Sequence, residues 1–265
     1  MRKLFILLVV CCCYVNGLQG QVQSSEKFVV SVHTGLSIPS GSFGRSDIAT
    51  SVYYSTLDPQ GRWVSGIDKS KSGFAQTGYF VHAETLYKIR SVFGLFIRGG
   101  YTTNPVQTQG ISDFLSSRSA EQRFVHEDYE MWFVAPGINL EKRWRAFAIH
   151  TSLSAGMAFA DFPSYESILL YTTTDPPSVW RNIQPTPTLV SSIVGISVGF
   201  RYNVSKAFSL GLETLFQRSE FDYDVQMIIV PGGNPDDKIS DRLKVRTTNI
   251  GITFGYNFGK GIRGN

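Results

Sequence analysis

Eight ionisable side chains stand at positions that alternate with apolar residues: His33, His82, Glu84, Lys88, Arg98, His150, Arg201 and Glu213. Their spacing puts all eight on the face opposite to that of the apolar residues. A charge held away from water is costly unless it is paired, so these residues predict either a packed salt-bridge network or a narrow charged path. Glu84 and Arg98 flank one short turn at comparable distances, and Arg201 and Glu213 flank another. Two cross-strand ion pairs, Glu84–Arg98 and Arg201–Glu213, are therefore expected. His150 and Ser152 share one strand face, which is the spacing a base and a hydroxyl nucleophile need in an acyl hydrolase. In this register, however, both point away from the apolar side, where a lipid substrate would lie.

Other chemistry is less well supported. His33, His82 and His150 are potential transition-metal ligands, but they lie on the first, second and fifth expected strands, and all three are not expected to converge at one depth. Asp222, Asp224, Asp236, Asp237 and Asp241 lack a calcium-loop spacing and read as a solvated segment. All three cysteines, Cys11, Cys12 and Cys13, lie within one apolar run near the N-terminus. Removal of that run leaves no disulfide, thiolate metal site or cysteine nucleophile. No phosphate loop, dinucleotide fingerprint or zinc-spaced cluster is present. The net charge is +4, too mild for a nucleic-acid partner, and no metal or cofactor is expected.

The ionisable residues are positioned by eight segments of period two. The last, KVRTTNIGITFGYNF, puts Thr248, Ile250, Ile252, Phe254, Tyr256 and Phe258 on one face and Asn249, Gly251, Thr253, Gly255 and Asn257 on the other. The first, FVVSVHTGL, begins at Phe28 and alternates in the same way. The others are GYFVHAETLYK, VFGLFIRGGY, YEMWFVAPGINLE, AFAIHTSLSAGMAFA, SIVGISVGFRYN and AFSLGLETLFQ. Pro136 in the fourth cannot donate a ladder hydrogen bond, so a bulge is expected near it. Tyr79, Tyr87, Tyr101, Trp132, Trp144, Tyr202 and Tyr256 lie near strand ends, as interfacial girdles do.

Three connectors, Ile89 to Ser91, Lys142 to Arg145 and Val204 to Lys206, have hairpin length. The other four, near 37–73, 103–127, 161–189 and 221–243, exceed about twenty residues, which is uncommon in a compact soluble domain. This alternation puts every long loop at one end and both termini at the other. Trp63 and Trp180 fall in long connectors and are candidates for partner contacts. At the N-terminus, Arg2 and Lys3 precede an apolar stretch from Leu4 to Val15, followed by Gly17 and Gly20. This layout predicts an export signal at 1–20, cleaved to leave a single domain at 21–265. The expected fold is all-β: an eight-stranded antiparallel up-and-down transmembrane β-barrel with short periplasmic turns and four long extracellular loops. A soluble lipocalin-like barrel is the architectural rival.

The strands VGISVGFRYN and NIGITFGYNF, the export signal and the up-and-down rhythm together resemble the eight-stranded outer-membrane barrel proteins of Gram-negative bacteria, and in particular the PorT-like barrel family of Bacteroidetes. The resemblance spans Phe28 to Phe258 and identifies architecture rather than one function. It implies localisation to the cell outer membrane after export across the inner membrane, and contact with the bilayer and lipopolysaccharide. It also implies barrel-assembly machinery and an extracellular or periplasmic protein partner. Many such barrels end on an aromatic residue, whereas here Phe258 is followed by GKGIRGN. Lipid A deacylases of eight strands have a similar His-x-Ser arrangement, but Leu153 stands where those enzymes have asparagine. The expectation is a non-enzymatic outer-membrane protein with a structural or interaction role through its long loops. The alternatives are a gated channel through the charged lumen and a lipid-modifying hydrolase.

Overall fold

A computed structural model describes residues 27–55, 64–111, 120–126, 128–171, 178–183, 188–230 and 238–258. The expected export signal, Trp63, Asp236, Asp237 and the GKGIRGN tail lie outside these residues. In chain order the elements are β1 (Phe28–Pro39), a four-residue helix α1 (Ile48–Ser51), β2 (Val52–Ser55), β3 (Val64–Ile67), β4 (Gly78–Lys88) and β5 (Phe93–Pro105). There follow β6 (Ala120–His126), β7 (Asp128–Trp144), β8 (Phe147–Asp161), β9 (Ser164–Tyr171) and β10 (Ser178–Ile183). The last three strands are β11 (Leu189–Asn203), β12 (Phe208–Val230) and β13 (Lys238–Phe258).

Eight of these strands close on themselves. The antiparallel pairings run β1–β4–β5–β7–β8–β11–β12–β13, and β13 returns to β1 with Phe28 opposite Phe258 and Leu36 opposite Ile250. This is the expected barrel, with each expected strand in its place. The alternation holds around the ring: Val32, Val81, Ile97, Trp132, Leu153, Val198, Leu212 and Phe254 are exposed on the outer wall, while Ser31, His82, Arg98, Ser152, Ser197, Glu213 and Thr253 are buried inside. A water-facing wall does not carry a continuous apolar band of this extent. It is the outer surface of a membrane-spanning barrel, with lipid as its solvent, and the soluble rival is set aside. Aromatic girdles bound the band. At the turn end Phe28 packs on Tyr87, Phe147 on Tyr202 and Phe208 on Tyr256, and at the loop end Tyr101 packs on Trp132.

Two expectations need correction. Pro136 causes no bulge. The ladder to β8 lapses at Ala135 and Pro136 and resumes in register at Gly137–Ser154, while Pro136 stays opposite Ile97 on β5. The proline thus occupies a two-residue gap in one ladder without shifting the register. The second correction concerns the connectors, three of which contribute strands above the ring. β12 and β13 remain paired as far as Gln226 and Lys238, well inside the stretch 221–243. Above the ring, β12 pairs with β10, β10 with β9 and β9 with β6. The order β13–β12–β10–β9–β6 follows the ring's own order β13–β12–β11–β8–β7. Five neighbouring strands of the wall are therefore continued upward as a sheet, and among the described residues the side formed by β1, β4 and β5 is not.

On that lower side the first long loop folds into the barrel mouth. Phe43 and Ala75 from the loop are buried with Phe162, just past β8, and with Tyr129, Met131, Phe133, Phe221, Tyr223 and Leu243 of the strands. Phe43 meets Tyr129 edge-on at 5.0 Å, and Phe162 meets Tyr129 and Phe221 at 5.3 Å each. The Tyr129 hydroxyl donates to the Gly73 carbonyl at 2.7 Å. Offset and edge-on rings contribute roughly 0.5–1.5 kcal/mol per pair beyond the area they bury, so this mouth is a packed core. Phe43→Ala should weaken loop docking by about 3–5 kcal/mol. The expected readout is faster protease cleavage within 68–77, while the unboiled protein keeps the fast gel migration of a closed barrel.

Candidate functional site

Below the aromatic core the lumen is polar, and its charges fall into two clusters. The upper cluster is centred on Glu213 of β12. Its Oε1 accepts from Arg98 Nη2 at 2.7 Å, and its Oε2 lies 3.2 Å from both His33 Nδ1 and His150 Nε2. Arg98 also donates to Glu84 Oε2, from Nη2 at 2.6 Å and from Nε at 3.0 Å. Strands β5 and β12 stand four places apart in the eight-membered ring, so the Arg98–Glu213 bond joins diametrically opposite walls. Two carboxylates face one guanidinium here, and the imidazole N–H groups of His33 and His150 supply the remaining donors.

The backbone makes room for this arrangement. Gly199 on β11 is opposite His150 on one side and Glu213 on the other. A Cβ at Gly199 would lie 2.3 Å from the His150 ring, so only glycine there lets His150 cross to the carboxylate. His33 is held from the other side, with Nε2 at 2.9 Å from Ser31 Oγ and Nδ1 at 3.0 Å from Thr253 Oγ1.

The lower cluster is centred on Glu141 of β7. Lys88 Nζ lies 2.7 Å from Oε1, Arg201 Nη1 3.3 Å from Oε2 and Arg143 Nη2 3.4 Å from Oε1. Glu141 was not among the residues singled out in the sequence, because it abuts the expected turn at Lys142 to Arg145. Alternation carried on from Asn139 would have placed it inward.

Of the two expected pairs, Glu84–Arg98 forms. Arg201–Glu213 does not, because the register puts Gly199 opposite Glu213 and Arg201 opposite Gly211. Arg201 therefore sits two residues nearer the β11–β12 turn, where Glu141 takes its charge, and Glu213 is bound from across the lumen. Of the three histidines, His33 and His150 meet at Glu213. His82 stays outside the ionic cluster, packed on Phe80 at 4.5 Å and edge-on to Phe133 at 4.9 Å.

The catalytic and metal alternatives gain no support from this geometry. Ser152 Oγ lies 2.6 Å from Ser197 Oγ, while His150 Nε2 faces Glu213, so the base and the hydroxyl are partnered elsewhere. Among the described residues no group of three histidines, cysteines or carboxylates could hold a metal ion. The aspartates of the last connector diverge. Asp241 is buried and accepts from Tyr223 Oη at 2.7 Å, while exposed Asp222 accepts from Arg242 Nε at 2.5 Å.

One titratable group belongs to the mouth. Lys69, in the first long loop, is buried with its Nζ 5.9 Å from the Tyr129 ring centroid and 5.6 Å from that of Tyr223. It donates to the Pro163 carbonyl at 3.5 Å. Burial pushes its ammonium down to about 7, against a smaller opposing pull from Asp241.

Two predictions follow from these clusters. Arg98→Met leaves two carboxylates facing across the lumen and should cost about 3–5 kcal/mol of unfolding free energy in lipid vesicles. Arg201→Met should cost less than half of that, since Glu141 keeps Lys88 at 2.7 Å. Urea unfolding of the two variants reads the difference. For Lys69 the folded value of about 7 lies below the unfolded value of about 10.4. The unfolded loop thus binds more protons between these values, and docking should strengthen as pH rises through that window and stay flat below it. Protease sensitivity of 68–77 should fall from pH 6.5 to 9.5, and Lys69→Met should abolish the change.

No protein-family model matches this chain, and no curated protein matches it in sequence. Solved structures with a similar fold are bacterial surface barrels. Neisserial surface protein A is 10% identical, with 87% of this chain and 97% of that one covered and a TM-score of 0.44. Outer membrane protein OprG from Pseudomonas aeruginosa is 10% identical, with 91% and 100% covered and a TM-score of 0.48. Ail, the attachment invasion locus protein of Yersinia pestis, seen with the heparin analogue sucrose octasulfate, is 12% identical, with 88% and 99% covered and a TM-score of 0.38. At these values the likeness carries no argument about activity, and the barrel rests on this chain's own pairings.

Proposed function

We propose that this chain is a non-enzymatic protein of the bacterial outer membrane, in which a filled barrel anchors a raised β-sheet that serves as an interaction surface outside the cell. The observation that carries this reading is the contrast between lumen and rim. Inside, Arg98–Glu213 bridges opposite walls beneath an aromatic core closed by Phe43. Above, β12 and β13 run for 23 and 21 residues, about twice the 9–11 that cross a bilayer, and continue into the sheet with β10, β9 and β6. Placement in an outer membrane is supported by the closed apolar wall, the export-type N-terminus, and short turns at one end opposed to long connections at the other. The strands VGISVGFRYN and NIGITFGYNF favour kinship with the PorT-like barrels of Bacteroidetes.

The channel alternative requires a continuous path, and the buried ion pairs and ring contacts lie across it. The hydrolase alternative requires an activated serine, and Ser152 is bonded to Ser197. In planar bilayers the reconstituted protein should give no steady unitary conductance. Regular current steps that vanish in Arg98→Ala or Arg201→Ala would contradict the anchor reading and restore the gated channel.

A further inference from the structure

Five outward steps of the β12–β13 hairpin lie within the apolar wall: Phe208 opposite Tyr256, Leu210 opposite Phe254, Leu212 opposite Ile252, Thr214 opposite Ile250 and Phe216 opposite Thr248. The next outward step sets Arg218 opposite Arg246, and the one above it Glu220 opposite Lys244. From Phe208 to Arg218 the strand rises roughly 34 Å along its own direction. With a tilt of about 40–45° this gives a band about 25 Å tall, the height of the lipid-facing belt in outer-membrane barrels. The two arginines thus stand at the loop-side boundary of the hydrocarbon, where lipid headgroups begin.

Like charges directly opposite one another on a sheet are destabilising, and the neighbouring carboxylates relieve this pair only weakly. Arg242 holds Glu220 at 3.2 Å and Asp222 at 2.5 Å, which leaves Arg218 a long 3.5 Å contact to Glu220. Among the described residues neither Arg246 nor Lys244 has an ion-pair partner. The Arg246 side chain passes within 3.5 Å of where a Cβ on Gly41 would sit, and its carbonyl accepts from Ser40 N at 2.9 Å. The side chain thus lies at the rim, beside the tip of β1. Elsewhere on the rim the same level is acidic, with Glu130 opposite Asp161 above the Trp132–Phe159 pair. Among the described residues the paired arginines stand on the β12–β13 side and this acidic pair on the β7–β8 side.

We infer that Arg218 and Arg246, with Lys244 above them, form a binding site for the phosphate groups of a phosphorylated glycolipid headgroup in the outer leaflet. This rests on the outer-membrane reading given above. Guanidinium groups suit phosphate because they donate in a planar fork. A phosphate between the two strands also removes the repulsion that the register imposes. A lipid source is favoured over a soluble anion by position, since the site opens directly onto the apolar wall at Phe216 and Ile250.

The test uses the full-length chain folded in detergent, with bis-phosphorylated lipid A and dephosphorylated lipid A as probes and heparin as a third. The wild type should bind the bis-phosphorylated form at least about tenfold more tightly than the dephosphorylated form, at about 1 kcal/mol per basic residue near the surface. The double substitution Arg218→Gln with Arg246→Gln should abolish that preference. Lys142→Gln, at the opposite end of the wall beside Trp144, should leave it intact. Fast migration without boiling reports whether each variant is folded. If the double variant does not fold, Arg246→Lys must retain the preference and Arg246→Gln must weaken it. Equal binding of both lipids by the wild type overturns the inference, as does an unchanged preference in folded double variant. So does heparin binding that is lost in the double variant while lipid binding stays. In those cases the anchor reading survives if the chain still needs detergent for extraction from membranes. Release from membranes by alkaline carbonate overturns both.

Discussion

The guanidinium of Arg98 crosses the lumen to Glu213 on the opposite wall, and much of the interior is arranged around that contact. A buried cation requires compensation, and here it is shared by Glu84 beside it and Glu213 across from it. Glu213 in turn draws His33 and His150 from two further strands. Five of the eight wall strands thereby contribute to one polar cluster. The glycine at position 199 follows from the same demand, since a larger residue would push His150 away from the carboxylate.

This polar lower half and the aromatic upper half divide the work of closing the barrel. The lower half is held by charges that need each other, and the upper half by rings that exclude water. With its interior filled, the barrel presents two surfaces to its surroundings. One is the apolar wall, which lipid covers. The other lies above the rim, where five adjacent strands outrun the bilayer and the remaining three give way to the folded loop. This asymmetry sets the raised sheet on one side of the barrel and the Phe43 plug on the other.

Much of the barrel was legible in the sequence because period two is strict wherever one face meets lipid and the other a narrow lumen. All eight strands and their facing could be read that way. The β4–β5 hairpin also sets Glu84 directly opposite Arg98, a pair of neighbouring strands. Contacts across the lumen were not legible, since they depend on tilt and diameter rather than on neighbouring positions. The Arg98–Glu213 bond was missed for that reason, whereas Arg201 was assigned to Glu213 because the β11–β12 register, which sets Gly199 opposite Glu213, was not legible. The raised sheet was missed for a different reason. Its segments, such as SYESILLY, sit between stretches rich in serine, threonine, proline and glycine, and composition outweighed the short apolar runs within them. The Met131 and Phe133 face of β7 was obscured because the outward neighbours Trp132 and Val134 are apolar too, leaving no alternation to read.

The most direct test of this arrangement is a double-mutant cycle on Arg98→Met and Glu213→Gln, with unfolding free energies measured in lipid vesicles. A bond across the lumen between desolvated charges predicts a coupling on the order of 2 kcal/mol or more, within the range found for contacting residues. Additive effects within about 0.5 kcal/mol would mean that the two side chains do not meet, and would contradict a lumen closed by their contact.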